Sequence, residues 1–251
     1  MKAYKSYLFD LDGTIYHGNK AISSAIQFLN QLELKNIPYG FVTNNSTQTP
    51  DQVAKKLTNL GVKVEARQVV TSSIATAAYV RKHYRDVSVF VIGEVGLQEA
   101  FSQYRQDSIR PNLVVVGLDR KITHDKMSVA ARCIVNGATF IATNPDRMIT
   151  QENGLVCGNG AIAQAIAYAA NTEPVVIGKP SAEILHTAVN QLGFNALETV
   201  FVGDNYETDI LAGIRAKMDT IHVQTGVTVS CQSFDEQPTY SIPSLINWSL
   251  L

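Results

Sequence analysis

Short runs rich in β-branched and aromatic residues alternate with helical patterns along nearly the whole chain, and this alternation limits the fold more than any other feature. Residues 4–10, 38–43, 87–93, 112–118, 139–143, 174–178, 199–203 and 220–223 read as strands. Between them, Ala21, Ile22, Ala25, Ile26, Leu29 and Leu32 recur at helical spacing. Further helices are expected over 50–60, 72–84, 95–104, 123–136, 160–171, 181–192 and 207–216. The second of the eight helices has Thr49 as N-cap, Pro50 at its first position and Gly61 just past its end. Parallel strands need crossover connections, usually helices, so the expected class is α/β with a doubly wound parallel sheet. One sheet could hold every strand. The polar motifs described below lie only in the flanking blocks, which favours a core built from 1–84 and 174–251 with a smaller α/β domain, 85–173, inserted between them.

With 251 residues, 45% of them hydrophobic, the chain can bury a sizeable core. Its formal net charge of −1 argues against a nucleic-acid partner, which would call for a basic stripe. The only dense basic cluster, "RKHYR" at 81–85, reads as a solvated helix end. No apolar run approaches a membrane span, and "MKAYKSYLFD" lacks the apolar core of a signal peptide. Cys133, Cys157 and Cys231 are far apart and odd in number, so they read as buried small side chains, not a disulfide framework or a zinc site. The expected setting is the cytoplasm, as a monomer or homodimer.

In open parallel sheets, ligands bind beyond the carboxyl ends of the strands. The first strand here runs into Asp10-Leu11-Asp12-Gly13-Thr14, the second into Thr43-Asn44-Asn45-Ser46. "VVIG" runs into Lys179-Pro180-Ser181, and "VFVG" into Asp204-Asn205 with Asp209 five residues on. Asp10 and Asp12 start on one side of their strand, where two carboxylates repel unless a cation sits between them. Carboxylates suit a hard cation such as Mg²⁺, and Thr, Lys and backbone N–H groups suit a phosphoryl group. Each motif alone has a structural explanation: an Asp-Gly turn, a polar loop, a solvated lysine, acids at a helix N-terminus. Four such coincidences at four strand ends outweigh those readings.

"DLDGT", "TNNS", "GKPS" and "GDNYETDI", in this order, resemble the four signatures of the haloacid dehalogenase superfamily, in its NagD-like or 4-nitrophenylphosphatase-like branch. The long gap from Ser46 to Lys179 matches members whose cap domain is inserted between the second and third signatures. The resemblance implies a Mg²⁺-dependent phosphatase acting on small phosphate monoesters, with nucleoside monophosphates or sugar phosphates favoured. It implies Asp10 as nucleophile, forming an aspartyl-phosphate, and Asp12 as general acid and base. Thr43, Asn44, Asn45 and Lys179 would hold the phosphoryl group, Asn44 through its backbone N–H. Asp10, Asp204 and the Asp12 carbonyl would hold Mg²⁺, with Asp209 in support. Two rival readings are a pyridoxal-phosphate-type phosphatase and a receiver-like switch phosphorylated on Asp10. The chain departs from the branch at Ser23-Ser24, where Pro-Gly is common, and at Ala216-Lys217-Met218, where Ala-Gly-Met is common.

Other polar residues carry weaker signals. His17, His83, His124, His186 and His222 have no metal-binding spacing. Tyr16 and His17 fit turn packing better than substrate contact, and Tyr206 could border the pocket. Asn144 and Asp146 in "ATNPD" could reach substrate or form an Asn-Pro turn. The glycines of "CGNGA" (157–161) read as turn formers.

Overall fold

The computed structural model describes residues 2–151, 154–231 and 233–250. It is an α/β protein with two compact units. Residues 1–43, 50–70 and 179–251 form the first, and residues 44–49 and 71–178 the second.

The first unit is built on a six-stranded sheet, in the order Tyr240–Ile242, Asp219–Val223, Thr199–Gly203, Ser6–Phe9, Tyr39–Thr43 and Val69–Thr71. Ser6–Phe9 lies near the middle and pairs in parallel with Thr199–Gly203 on one side and Tyr39–Thr43 on the other. All four of its residues are buried, as a central parallel strand requires. Phe9 packs its ring 6.2 Å from Phe28, 6.4 Å from Tyr39 and 6.2 Å from Phe41. Burying such rings contributes about 1.5–3 kcal/mol each, so the strand that leads into Asp10 is anchored in the aromatic core of the unit.

The second unit has its own parallel sheet, in the order Val175–Val176, Thr139–Ala142, Leu113–Val116, Ser88–Ile92 and Arg105–Gln106. Its core joins Val114, Val116 and Phe140 to Ile134 and Ile166 from the helices His124–Val135 and Asn159–Ala170. Met148–Gln151 and Gly154–Cys157 add an antiparallel hairpin.

Several details differ from the sequence reading. The strand expected at 174–178 among the flanking blocks is short, and it pairs with the middle sheet, Val175 opposite Ile141. Helix Ser72–His83 groups with the second unit, because Ser72 and Ser73 donate to the Asn44 and Ser46 carbonyls at 2.7 and 2.9 Å. The helix expected over 95–104 stops at Ala100 and gives way to an edge strand. Cys157 is exposed on the hairpin, whereas Cys133 and Cys231 are buried. Among the described residues no helix is long and apolar enough to cross a membrane.

Gly61 takes the left-handed conformation after its helix, with φ 88°. Lys217 does the same after Leu211–Arg215, with φ 56°, and its N–H donates to Ile214 while that of Met218 donates to Gly213. This is the position where the branch often carries glycine. A side chain there costs about 1 kcal/mol. Lys217→Gly is therefore expected to raise unfolding stability by about 1 kcal/mol in denaturant titrations, with activity unchanged. Lower stability would contradict this reading of the turn.

Candidate active site

Five strands of the first sheet, from Tyr240–Ile242 to Tyr39–Thr43, pair in parallel, so their carboxyl ends share one edge, and the polar side chains gather there. The Asp10 N–H donates to the Val202 carbonyl at 2.8 Å, which continues the ladder one residue past Phe9 and fixes the Asp10 backbone. Asp204 follows the neighbouring strand directly. Asp209 stands one π-helical turn further on, in Tyr206–Ile210. Gly203 allows that turn to fold back, since a Cβ there would lie 2.3 Å from the Asp209 Cβ.

Asp10, Asp204 and Asp209 are buried, and each offers a carboxylate oxygen within 4.8 Å of the others. Lys179, also buried, donates to Asp10 Oδ1 and, at 2.7 Å, to Asp209 Oδ1. The second oxygen of Asp209 accepts from the Asn205 N–H at 3.0 Å, so Asp209 is braced from two sides.

Asp204 is held by a loop that the sequence reading left out. Val227 N–H donates to Asp204 Oδ2 at 2.7 Å, Thr14 Oγ1 to Oδ1 at 3.2 Å, and Thr228 N–H to the Asp204 carbonyl. Thr225 Oγ1 donates to the Gly13 carbonyl at 2.7 Å. A Cβ on Gly226 would lie 1.9 Å from Asp204 Oδ2, and one on Gly13 2.4 Å from it. Only glycine lets the backbone approach so closely, and Gly13 also needs it for its φ of 89°. The signal was available in the sequence: Thr225-Gly226 follows a strand end as the other motifs do.

Burial is the main cause of the shifted titration here. Burial, then the Asp209 charge, pushes the Asp10 carboxyl well above the usual range, and Lys179 offsets only part of that. The same two causes push Asp204 up to about 6. For Lys179 burial acts to lower the pKa, but Asp10 and Asp209 outweigh it and hold the ammonium charged. Three buried carboxylates face one ammonium. Ionising all three leaves two negative charges uncompensated, and an oxygen-ligated divalent cation would neutralise them. The donor set therefore fits Mg²⁺.

Of the residues singled out from sequence, Asp10, Lys179, Asp204 and Asp209 come together. Thr43 is buried at the end of Tyr39–Thr43, beside the Asp10 strand. Asp12 does not join the buried cluster, because strand alternation ends at Phe9 and a turn carries the Asp12 side chain to the surface. It sits by Tyr16, whose ring lies 3.8 Å under the Lys56 ammonium. Asn44 and Asn45 belong to the second unit. There the Asn45 side chain accepts from the Thr47 N–H and hydroxyl, each at 2.8 Å, closing a turn. Tyr206 stacks on Phe234 with ring centroids 3.6 Å apart and donates to the Glu236 carbonyl, so it serves the C-terminal loop. His222 is wholly buried and tied to Thr228 and Ser241.

Two family models match the chain, one for haloacid dehalogenase-like hydrolases over residues 7–105 and one described as HAD-hydrolase-like over residues 176–248. The 5'-nucleotidase YutF of Bacillus subtilis is 45% identical, over 99% of this chain and 98% of its own. The acid sugar phosphatase of Staphylococcus aureus is 44% identical, over 98% and 96%. The crystal structure of a double mutant of the thermostable NPPase from Geobacillus stearothermophilus superposes with a TM-score of 0.95 at 44% identity, covering 100% of both chains. Signatures, fold and relatives agree: the chain belongs to the haloacid dehalogenase-like hydrolases, in the branch of NagD and the 4-nitrophenylphosphatases.

Proposed function

We propose that the chain is a Mg²⁺-dependent phosphomonoesterase that works through an aspartyl-phosphate on Asp10. The observation that carries this reading is the buried Asp10–Lys179–Asp209 arrangement beside Asp204, in which a carboxylate is fixed at a strand end with more negative charge around it than one ammonium can offset. Asp10, Asp204 and the Asp12 carbonyl would hold the cation, with Asp209 orienting Lys179. Bound there, Mg²⁺ supplies charge neutralisation for the carboxylates and for the incoming phosphate dianion.

The chain's own groups do the rest. Thr43, Lys179 and the Asn44 N–H hold the phosphoryl oxygens. The Asp10 carboxylate attacks phosphorus, and the bond from phosphorus to the ester oxygen breaks as Asp12 gives that oxygen its proton. Asp12 then takes a proton from water, which attacks phosphorus and releases inorganic phosphate, restoring the Asp10 carboxylate. An Asp12 side chain at the surface, outside the ion-paired cluster, suits a group that must exchange protons with solvent and substrate. Small phosphate monoesters, among them nucleoside monophosphates and sugar phosphates, are the substrate class. Relatives named 5'-nucleotidase and acid sugar phosphatase support it. Membership of a hydrolase family speaks against a receiver-like switch.

The raised carboxyl pKa values make stability a measure of the metal site. A group whose folded pKa exceeds its unfolded value stabilises fully below the unfolded pKa and loses that contribution as pH rises through the folded one. For Asp204 the loss falls between about pH 4 and pH 6. In metal-free buffer at pH 7.5, Asp204→Asn should therefore melt about 5 °C above wild type, and the gap should close towards pH 4. Millimolar Mg²⁺ should raise the wild-type Tm and leave the variant's unchanged. Equal gains from Mg²⁺ in both proteins would contradict the assignment.

Asp10→Asn and Asp12→Asn should fail differently with 4-nitrophenyl phosphate. Asp10→Asn has no nucleophile and should give no burst in stopped flow. Asp12→Asn keeps the nucleophile, and 4-nitrophenolate departs with little protonation. It should release about one nitrophenolate per chain and then turn over on the order of 10²–10⁴-fold slower than wild type. A burst from Asp10→Asn would overturn the roles given to the two residues.

A further inference from the structure

Asn44 is bound on several sides within the second unit. Its carbonyl accepts from the Asn144 side-chain amide at 2.8 Å and from the Ser72 hydroxyl at 2.7 Å. Its own side-chain amide donates to Asp146 Oδ1 at 2.9 Å. Asn144 and Ser72 are both buried, so neither bond is weakened by competing bulk water. With its carbonyl and side chain both tied, Asn44 cannot turn about its backbone without breaking buried hydrogen bonds.

The Asn144–Asp146 turn that makes these bonds is itself braced. The Asp146 N–H donates to Asn144 Oδ1 at 3.2 Å. Asn159, buried at the start of its helix, donates through its amide to the Asn144 carbonyl at 2.9 Å. Gly158 and Gly160 donate their N–H groups to Arg147 and Asp146. A Cβ on either glycine would come within 2.2 Å of a carbonyl oxygen of the turn, at Asp146 and Pro145 respectively. The glycines of the "CGNGA" stretch thus allow a helix start to press directly on this turn. Thr143, the residue before this turn, holds Gly178, whose N–H donates to the Thr143 carbonyl at 2.8 Å. A Cβ on Gly178 would lie 2.4 Å from that oxygen and 2.7 Å from Asn44 Oδ1.

The two residues held here, Asn44 and Gly178, immediately precede or follow groups of the candidate site. Thr43 comes directly before Asn44, and Lys179 directly after Gly178. We infer that Asn144, together with Ser72, is a positioning residue for phosphoryl binding: it fixes the Asn44 backbone, and through the shared peptide bond the end of the Thr43 strand. In this role Asn144 and Asp146 act through their hydrogen bonds to Asn44. The inference rests on the phosphatase reading above.

The test uses the full-length chain and inorganic phosphate as the probe. Asn144→Asp puts an acceptor where Asn44 needs a donor, and Ser72→Ala removes the second donor with little change in volume. Calorimetric titration should show phosphate affinity, measured with Mg²⁺ present, falling about tenfold in each folded variant. The kcat for 4-nitrophenyl phosphate should fall with it. Mg²⁺ affinity should match wild type, because Asp10 and Asp204 do not depend on Asn44. A merely structural role would lower Tm and leave the phosphate affinity of the folded protein intact. If Asn144→Asp fails to fold, Ser72→Ala decides. Wild-type phosphate affinity in the folded variants, or equal losses of Mg²⁺ and phosphate affinity, would overturn the inference. Wild-type protein that neither binds phosphate nor hydrolyses the ester would overturn the phosphatase reading first, before any variant is made.

Discussion

One buried ammonium holds this site together. Lys179 bridges Asp10 and Asp209, and each of the three side chains is at least nine-tenths buried. Removing one partner of such a group strands a charge in the interior, which typically costs 3–5 kcal/mol. The arrangement survives because the sheet supports it: the Asp10 backbone extends the ladder to Val202, and the Asn205 N–H braces Asp209. It remains incomplete in charge, since Asp204 adds a third carboxylate to the one Lys179 ammonium. The proposed metal dependence rests on that imbalance, while burial first and the Asp209 charge second push the Asp10 and Asp204 carboxyls up.

Glycine sets how closely these groups can approach one another. Gly13 and Gly226 both approach the Asp204 carboxylate more closely than any residue with a Cβ could, and Gly203 does the same for Asp209. Substituting any of them would push a carboxylate out of register with its neighbours. In the second unit Gly158, Gly160 and Gly178 play the matching part around the Asn144–Asp146 turn. Both regions therefore rest on backbone packing against polar groups, where shape is as demanding as charge.

The sequence made much of this legible. Apolar strands followed at once by Asp, Thr or Asp again marked the residues that meet at one sheet edge, because parallel strands deliver their carboxyl ends together. Helix ends were readable where Gly61 or Pro50 stood at them. Three things were not legible. The paired look of Asp10 and Asp12 assumed that alternation continues past Phe9, and a turn ends it. Which sheet the two-residue strand Val175–Val176 joins depends on long-range pairing that local pattern does not encode. The hold on Asn44 depends on residues about a hundred positions away in the chain, and single-sequence periodicity carries no trace of such a contact.

The central claim is that the buried carboxylate beside Lys179 becomes phosphorylated during turnover. Protein quenched during steady hydrolysis of a phosphate ester, then treated with borohydride, reports this directly, because an acyl phosphate is reduced to an alcohol while a free carboxylate is not. Peptide mass spectrometry should find homoserine at position 10 and unchanged aspartate at 12, 204 and 209. Sustained turnover with the reduced residue elsewhere, or with Asp10 unmodified in quenched Asp12→Asn as well, would contradict the account.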